Sequence, residues 1–343
     1  MNANGERTGG GYIHPNYSDG ITRVFPHPTL SFANLSATGN DKSGRTYLFA
    51  PSVRHRFDGL NIDYGVSYSN SATYYDVSHR DEKVSGRPTG TVTMRLNNVG
   101  WNADNSGADP WPRITQTAGP SMYDIGNYSN LTLMQNDQRG YDTIVSGKFD
   151  LKKDLRLVLP AYLKTGFLYK EQSRKLWIEN RRYNYAGADG VFGNADDTRE
   201  LRQFGITRGA TTDEHKYFID RGEGAPPWPD PFAVAAHRLQ NPGMWREDVA
   251  FGAQSDAQAL RMITERIGAV YAIGHVRLRQ LSMLVGVRFE DTRLKGEGPL
   301  NYLSPEEKAR RAAWVGPVTA EEARRRALAQ FGGRKTNHGQ YQV

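Results

Sequence analysis

Residues 60–69 read LNIDYGVSYS and alternate without a fault. Successive side chains of a strand point to opposite faces. Leu60, Ile62, Tyr64, Val66 and Tyr68 therefore share one side, and Asn61, Asp63, Gly65, Ser67 and Ser69 share the other. Asp58-Gly59 stands immediately before, and this dipeptide favours a two-residue hairpin turn because glycine accepts positive φ. Residues 47–57 precede the turn and complete a first antiparallel pair, the hairpin 47–69.

Two more pairs follow. In 141–170, Thr143, Val145, Phe149 and Leu151 oppose Asp142, Ser146, Lys148 and Asp150; then Ala161, Leu163, Phe167 and Tyr169 oppose Lys164, Gly166 and Lys170. Pro160 falls at a strand start, where its missing N–H does least harm. In 263–292, Ile267, Ala269, Tyr271 and Ile273 are expected to form the apolar face of the first strand. Leu281, Met283, Val285, Val287 and Phe289 form that of the second, against Ser282, Gly286, Arg288 and Glu290.

Connection lengths decide what such strands build. Links within pairs run from about two to eight residues, and links between pairs to roughly seventy and ninety. Unstructured loops that long are uncommon in compact soluble domains. Outer-membrane barrels combine short periplasmic turns, long extracellular loops and strands of about 9 to 11 residues. The expected fold is thus all-β: an incomplete antiparallel transmembrane β-barrel occupying residues 1–343, in the cell outer membrane. Tyr47, Tyr68, Tyr141, Tyr169 and Phe289 fall near the loop-side ends of the apolar faces, where an aromatic girdle belongs. Pro51, His55 and Glu265 land on faces assigned to lipid and fit poorly there. The alternative is a secreted or surface all-β module, a sandwich or propeller that binds glycans.

Composition trims the field. No stretch approaches the run of about 20 apolar residues that a membrane helix needs. With no cysteine, thiolate metal sites, thiol catalysis and disulfides are excluded. The net charge of +7 is spread along the chain among 37 acids, a pattern of solvated loop and surface charge rather than of nucleic-acid binding. The eight histidines lack metal-ligand spacing, and neither Gly-x-Ser-x-Gly nor a phosphate-binding loop occurs, so neither enzyme activity nor a cofactor is expected. The opening residues, MNANGERTGGGY, have no signal-peptide pattern, so a leader has been removed or the chain begins partway through a longer one.

The third hairpin, ITERIGAVYAIGHVRLRQLSMLVGVRFEDT, resembles a paired strand segment of TonB-dependent receptors. The resemblance rests on a Glu before an aromatic strand and on the run Gly286, Arg288, Phe289, Glu290 and Thr292. GKFDLKKDLRLVLPAYLKTGFLYKEQSRK, with Pro160 and Lys164-x-Gly166, is similar to a preceding hairpin of that family. The likeness spans roughly residues 44 to 300. It implies a barrel of about twenty-two strands closed by an N-terminal plug, importing a siderophore, metal chelate or oligosaccharide with energy from TonB. Neither a plug nor a TonB-interacting box is found, so the chain reads as a middle piece that neither folds stably nor transports in isolation. Its partners would be the TonB complex, through a plug missing from this chain, together with outer-membrane lipid and lipopolysaccharide and a small-molecule or glycan ligand.

All six tryptophans lie outside the proposed spanning segments, and Trp101, Trp111, Trp177, Trp228 and Trp245 are the candidates for contact with a ligand. Their rings either stack on a ligand or pin long loops together. Asp63, Lys148, Lys164, Arg288 and Glu290 point to the polar side, which the resemblance makes a lumen wall facing the plug. GADGVFGNADD brings Asp189, Asp196 and Asp197 among glycines; it lacks EF-hand spacing and reads as a hairpin tip. Residues 304–331 break the β habit. Ser304-Pro305-Glu306-Glu307 and Thr319 with Glu322 predict two capped helices before Gly332, a helical insertion in an extracellular loop.

Overall fold

A computed structural model describes residues 6–7, 11–13, 20–76, 88–108, 113–198 and 229–343. In chain order the strands are β1 (Glu6–Arg7), β2 (Gly11–Ile13), β3 (Ile21–Phe25), β4 (Phe32–Gly39), β5 (Asp41–Phe49), β6 (Ser52–Phe57), β7 (Leu60–Asp76) and β8 (Gly90–Asn97). They continue with β9 (Gly100–Asp104), β10 (Arg113–Ala118), β11 (Ser129–Leu155), β12 (Ala161–Tyr185), β13 (Trp245–Glu247), β14 (Arg261–Leu278), β15 (Leu281–Leu300) and β16 (Gly333–Gln342). The helices are α1 (Pro231–Gln240), α2 (Val249–Ala259), α3 (Pro305–Ala312) and α4 (Ala320–Phe331). Two compact units result, one from Lys42–Tyr75, Asp137–Glu179 and Ala250–Val343, the other from Met1–Asp41, Asp76–Asn136 and Asn180–Val249.

The first unit is an antiparallel sheet in the order β16-β15-β14-β12-β11-β7-β5. Its end strands, β16 and β5, do not pair among the described residues, so this sheet is open. Asp58-Gly59 makes the expected tight turn, with Gly59 at φ 64°. Arg279-Gln280 makes another, and Arg279 takes the left-handed φ of 51° there. The β11–β12 turn reaches the same sheet end as the first, because Arg156 contacts Asp58 at 3.0 Å. β6 prolongs β5 on the same partner. Thr46 meets Ser71 at 2.8 Å and Ser52 pairs with Gly65, one unbroken register. Pro51 interrupts it only by lacking an N–H; its carbonyl still accepts from Val66 N at 3.1 Å. The misfit at Pro51 thus resolves as a proline in an end strand, where one lost ladder bond is tolerated.

One face assignment fails. Tyr271 stands opposite Arg288 and Gly166, and Ile273 opposite Gly286 and Lys164. Directly opposed residues share a face, so Ile267, Ala269, Tyr271 and Ile273 belong to the polar side, and Glu265, opposite Gln172, joins them. The outward residues of β14 are Val270, opposite Phe167 and Phe289, with Ala272 and Val276. A two-residue turn forces this. When Leu278 pairs with Leu281, outward residues are even-numbered on β14 and odd-numbered on β15.

Among the described residues the apolar face is unpartnered and open. Val66, Phe167, Val285 and Val287 are 60%, 50%, 72% and 70% exposed. α3 and α4 lie in the β15–β16 connection, and Tyr302 N donates to Gln330 O at 2.9 Å. Both predicted caps form, Ser304 accepting from Glu307 N and Thr319 from Glu322 N, each at 3.2 Å. β16 carries no apolar alternation and went unread in the sequence; it is an exposed strand throughout.

The second unit corrects the expectation of bare loops. β8 pairs with β4 and with the Ser129–Met134 end of β11. Val92, Met94 and Leu96 of β8 are buried together with Leu35, Leu131, Leu133, Tyr128, Tyr185, Val234 and Trp245. α1 begins at Asp230, whose carboxylate accepts from Phe232 N at 2.9 Å, and packs on β4 and β8. β1, β2, β3, β9 and β10 form a small antiparallel sheet. β11 and β12 themselves run 27 and 25 residues, far past their apolar alternation. A ladder needs only backbone groups, so hydrophobic patterning marks less than the full length of a strand.

Candidate functional site: a row of charge across the polar sheet face

The register of the first unit draws charged residues into a line. Arg54 on β6 opposes Asp63 on β7, and Asp63 opposes Asp150 on β11. Gly166 on β12 opposes Tyr271 on β14, and Tyr271 opposes Arg288 on β15. Arg54 donates from Nε to Asp63. The Tyr271 hydroxyl donates to Asp150. Lys164 Nζ lies 4.0 Å from Asp150 and 5.7 Å from the centre of the Tyr271 ring. Arg288 binds Glu290 at 2.6 Å.

Gly166 makes this line possible. A Cβ there would stand 2.4 Å from Phe149 O, 2.8 Å from Asp150 Oδ1 and 2.8 Å from Tyr271 Cε1. The missing side chain leaves room for the phenol to cross β12 and reach Asp150. Farther from the tight turns, Asp142 accepts from Gln172 at 2.9 Å and from Arg174 at 3.0 Å. Ser71, Thr73, Asp142, Arg174, Leu176 and Ile263 help line a shallow cavity of about 390 Å³ on this face.

Asp63, Lys164, Arg288 and Glu290 fall in this line, and Lys148 stands beside it, opposite Gly65 on the same face. The sequence reading did not bring in Arg54 or Tyr271 as members. Both are recoverable from the turns, since fixing Phe57 against Leu60 and Leu278 against Leu281 counts each back into place. The chemistry on offer is charge and hydrogen bonding over a solvated surface. Among the described residues no three acidic or histidine side chains could hold a metal.

The other candidates disperse. Trp111 and Trp228 lie outside the described residues. Trp245 is 5% exposed, its ring 5.2 Å from that of Tyr185 and its Nε1 donating to His237 Nδ1 at 3.2 Å, so it is a core residue and no ligand platform. Trp101 packs against the same core. Trp177 sits on β12 with Arg139 above its ring at 5.5 Å. Asp189 accepts from Val191 N at 2.7 Å and Asp197 from Gly193 N at 2.5 Å, shaping a loop whose Gly187, Gly190 and Gly193 all have positive φ.

Three arginines of α3 and α4, Arg310, Arg311 and Arg326, are turned toward two glutamates. Arg310 bridges Glu307 at 2.7 Å and Glu322 at 2.8 Å; Arg311 binds Glu307 at 2.9 Å, and Arg326 binds Glu322 at 2.6 Å. The two glutamates make only half of each capping box, because their carboxylates go to arginine instead of back to the cap N–H. Arg311, with Arg310 beside it, holds the Glu307 carboxyl below the usual carboxylate range.

No protein-family model, curated protein or solved structure matches the chain.

Proposed function

We propose that the chain forms part of the wall of an outer-membrane β-barrel receptor of the TonB-dependent type, which imports a scarce ligand. One observation carries the membrane part of this reading. Residues 60–68, 161–169 and 281–289 each hold an outward, largely apolar alternating face nine residues long that starts at the turn end of its strand, and charged residues follow directly at Lys170-Glu171 and Glu290-Asp291. Nine to eleven residues is what a tilted strand needs to cross hydrocarbon. Side chains such as Val285 and Val287, about 70% exposed over a continuous face, would be costly in water and are at home in lipid.

The polar face then borders a wet lumen, where the Arg54–Glu290 line supplies contacts for a plug or for channel water. Import energised through TonB rests on the likeness of 263–292 to the family, and the ligand stays open among siderophores, metal chelates and oligosaccharides. A glycan-binding module would need accessible loop aromatics, and Trp245 is withdrawn into a core.

The absence of cysteine makes the test direct. Single cysteines placed along β15 within the intact receptor, reconstituted in vesicles, are exposed to a membrane-impermeant thiol reagent. Protection at 283, 285 and 287 with reaction at 282, 286 and 288 is expected; uniform reaction would remove the membrane wall.

A further inference from the structure

The outward face changes character abruptly, and the ladders fix where. Phe167, Val270 and Phe289 form one transverse row, and Tyr169, Gly268, Asp291 and Gln342 form the next. Then come Glu171, Arg266, Arg293 and Gln340, followed by Ser173, Thr264, Lys295 and His338. The apolar field thus gives way to three neighbouring cations and a histidine, above a groove of about 690 Å³.

Their hydrogen bonding is half used. Arg266 donates from Nε to Glu171 at 2.9 Å, and Glu171 also accepts from the Tyr169 hydroxyl at 2.8 Å. Arg293 donates from Nε to Asp291 at 2.8 Å, a carboxylate that Gln340 and Gln342 bind as well. Each guanidinium is fixed by one edge, and its terminal nitrogens have no protein partner among the described residues. The two side chains are 60% and 67% exposed. Lys295 and His338, directly opposed, form no ion pair among the described residues.

Depth supplies the occupant. The Arg266–Arg293 row lies two residues beyond Tyr169, about 7 Å along the strand, and the polar layer outside the hydrocarbon is about 5 to 8 Å thick. This end of the sheet is opposite the tight turns, hence the extracellular side if short turns are periplasmic. Resting on the membrane-wall reading, we propose that Arg266, Arg293, Lys295 and His338 bind the phosphates of the outer leaflet's glycolipid, lipid A. Guanidinium forks already anchored by one edge suit phosphate oxygens, which accept paired charge-assisted bonds.

The test titrates the intact receptor, purified in neutral detergent, with diphosphorylated lipid A and with its dephosphorylated form, following binding calorimetrically. The unaltered protein is expected to prefer the phosphorylated lipid, and Arg266→Gln/Arg293→Gln/Lys295→Gln to lose that preference by about tenfold or more. Lys295→Gln/His338→Gln removes two groups without ion pairs among the described residues and should weaken binding while leaving folding intact. Equal affinity for both lipids, or unchanged affinity in both variants, overturns the proposal. The cysteine-labelling pattern on β15 separates the failures. Alternating protection without phosphate preference rejects this lipid site alone, whereas uniform labelling rejects the wall and the lipid site with it.

Discussion

Tyr271 faces Arg288 across the β14–β15 ladder, and its hydroxyl extends the other way, across β12, to Asp150 on β11. A residue that periodicity places among outward apolar groups is therefore a member of the polar line. In the intact receptor, arginine at Val285 should oppose insertion into phosphatidylcholine vesicles by about 2 to 4 kcal/mol at mid-depth. The same change at Tyr271 or Ser282 should have a much smaller effect on insertion. Folding equilibria measured in urea would distinguish them, and equal penalties on both faces would refute the register.

Gly166 is expected to tolerate nothing larger. Gly166→Ala puts a methyl group where Phe149 O, Asp150 and the Tyr271 ring already stand. It should lower stability by about 1 to 3 kcal/mol. Tyr271→Phe, which keeps the ring and loses only the bond to Asp150, should lower it by about 1 kcal/mol. If the two variants unfold alike, the crowding argument at Gly166 is wrong.

Trp245 anchors the core of the second unit beside Tyr185 and Val234. Trp245→Ala should destabilise that unit by about 3 to 5 kcal/mol. Hydrogen exchange is the measurement, with loss of protection expected in β8 and α1. Retained protection there would show that the ring lies at a surface.

Acid should loosen the helical hairpin. The Glu307 carboxyl, held below its ordinary value of 4.5 by Arg311 and Arg310, contributes stability that is complete above that value. It is lost as pH falls through the lower folded value. Glu306 is shifted the same way, by its own backbone N–H and Ser304. Amide protection in α3 and α4, taken relative to the intrinsic exchange rate at each pH, should fall below about pH 4.5, and Glu306→Gln/Glu307→Gln should flatten that dependence. A slope that survives the double substitution would place the cause elsewhere.

The comparison of sequence with structure turns on what each side chain reports. β7, β12 and β15 were legible because their two faces differ sharply, as Val66 differs from Ser67. β14 was not, because Ile267 and Ile273 make its inward side as apolar as its outward one, where Gly268 and Gly274 dilute the signal. The helix caps were legible from local chemistry alone. Val92, Met94 and Leu96 carried a clear period of two that went unread between hairpins. The charged line needed register, which only the turns could supply, and the membership of Asp150 and Gly166 needed the third dimension.

The two tight turns also bear on how the sheet assembles. Leu60 finds Phe57, and Leu281 finds Leu278, within a few residues, so each hairpin can zip from its own turn. Pairing Val66 with Gly147 is a different event, because the chain between them must first be gathered and its loop-closure entropy paid. Contacts so unequal in sequence separation predict staged kinetics, with hairpins forming early and docking to one another slowly. Until β7 meets β11, the donors and acceptors on the facing edges of those strands depend on water or on another protein to satisfy them.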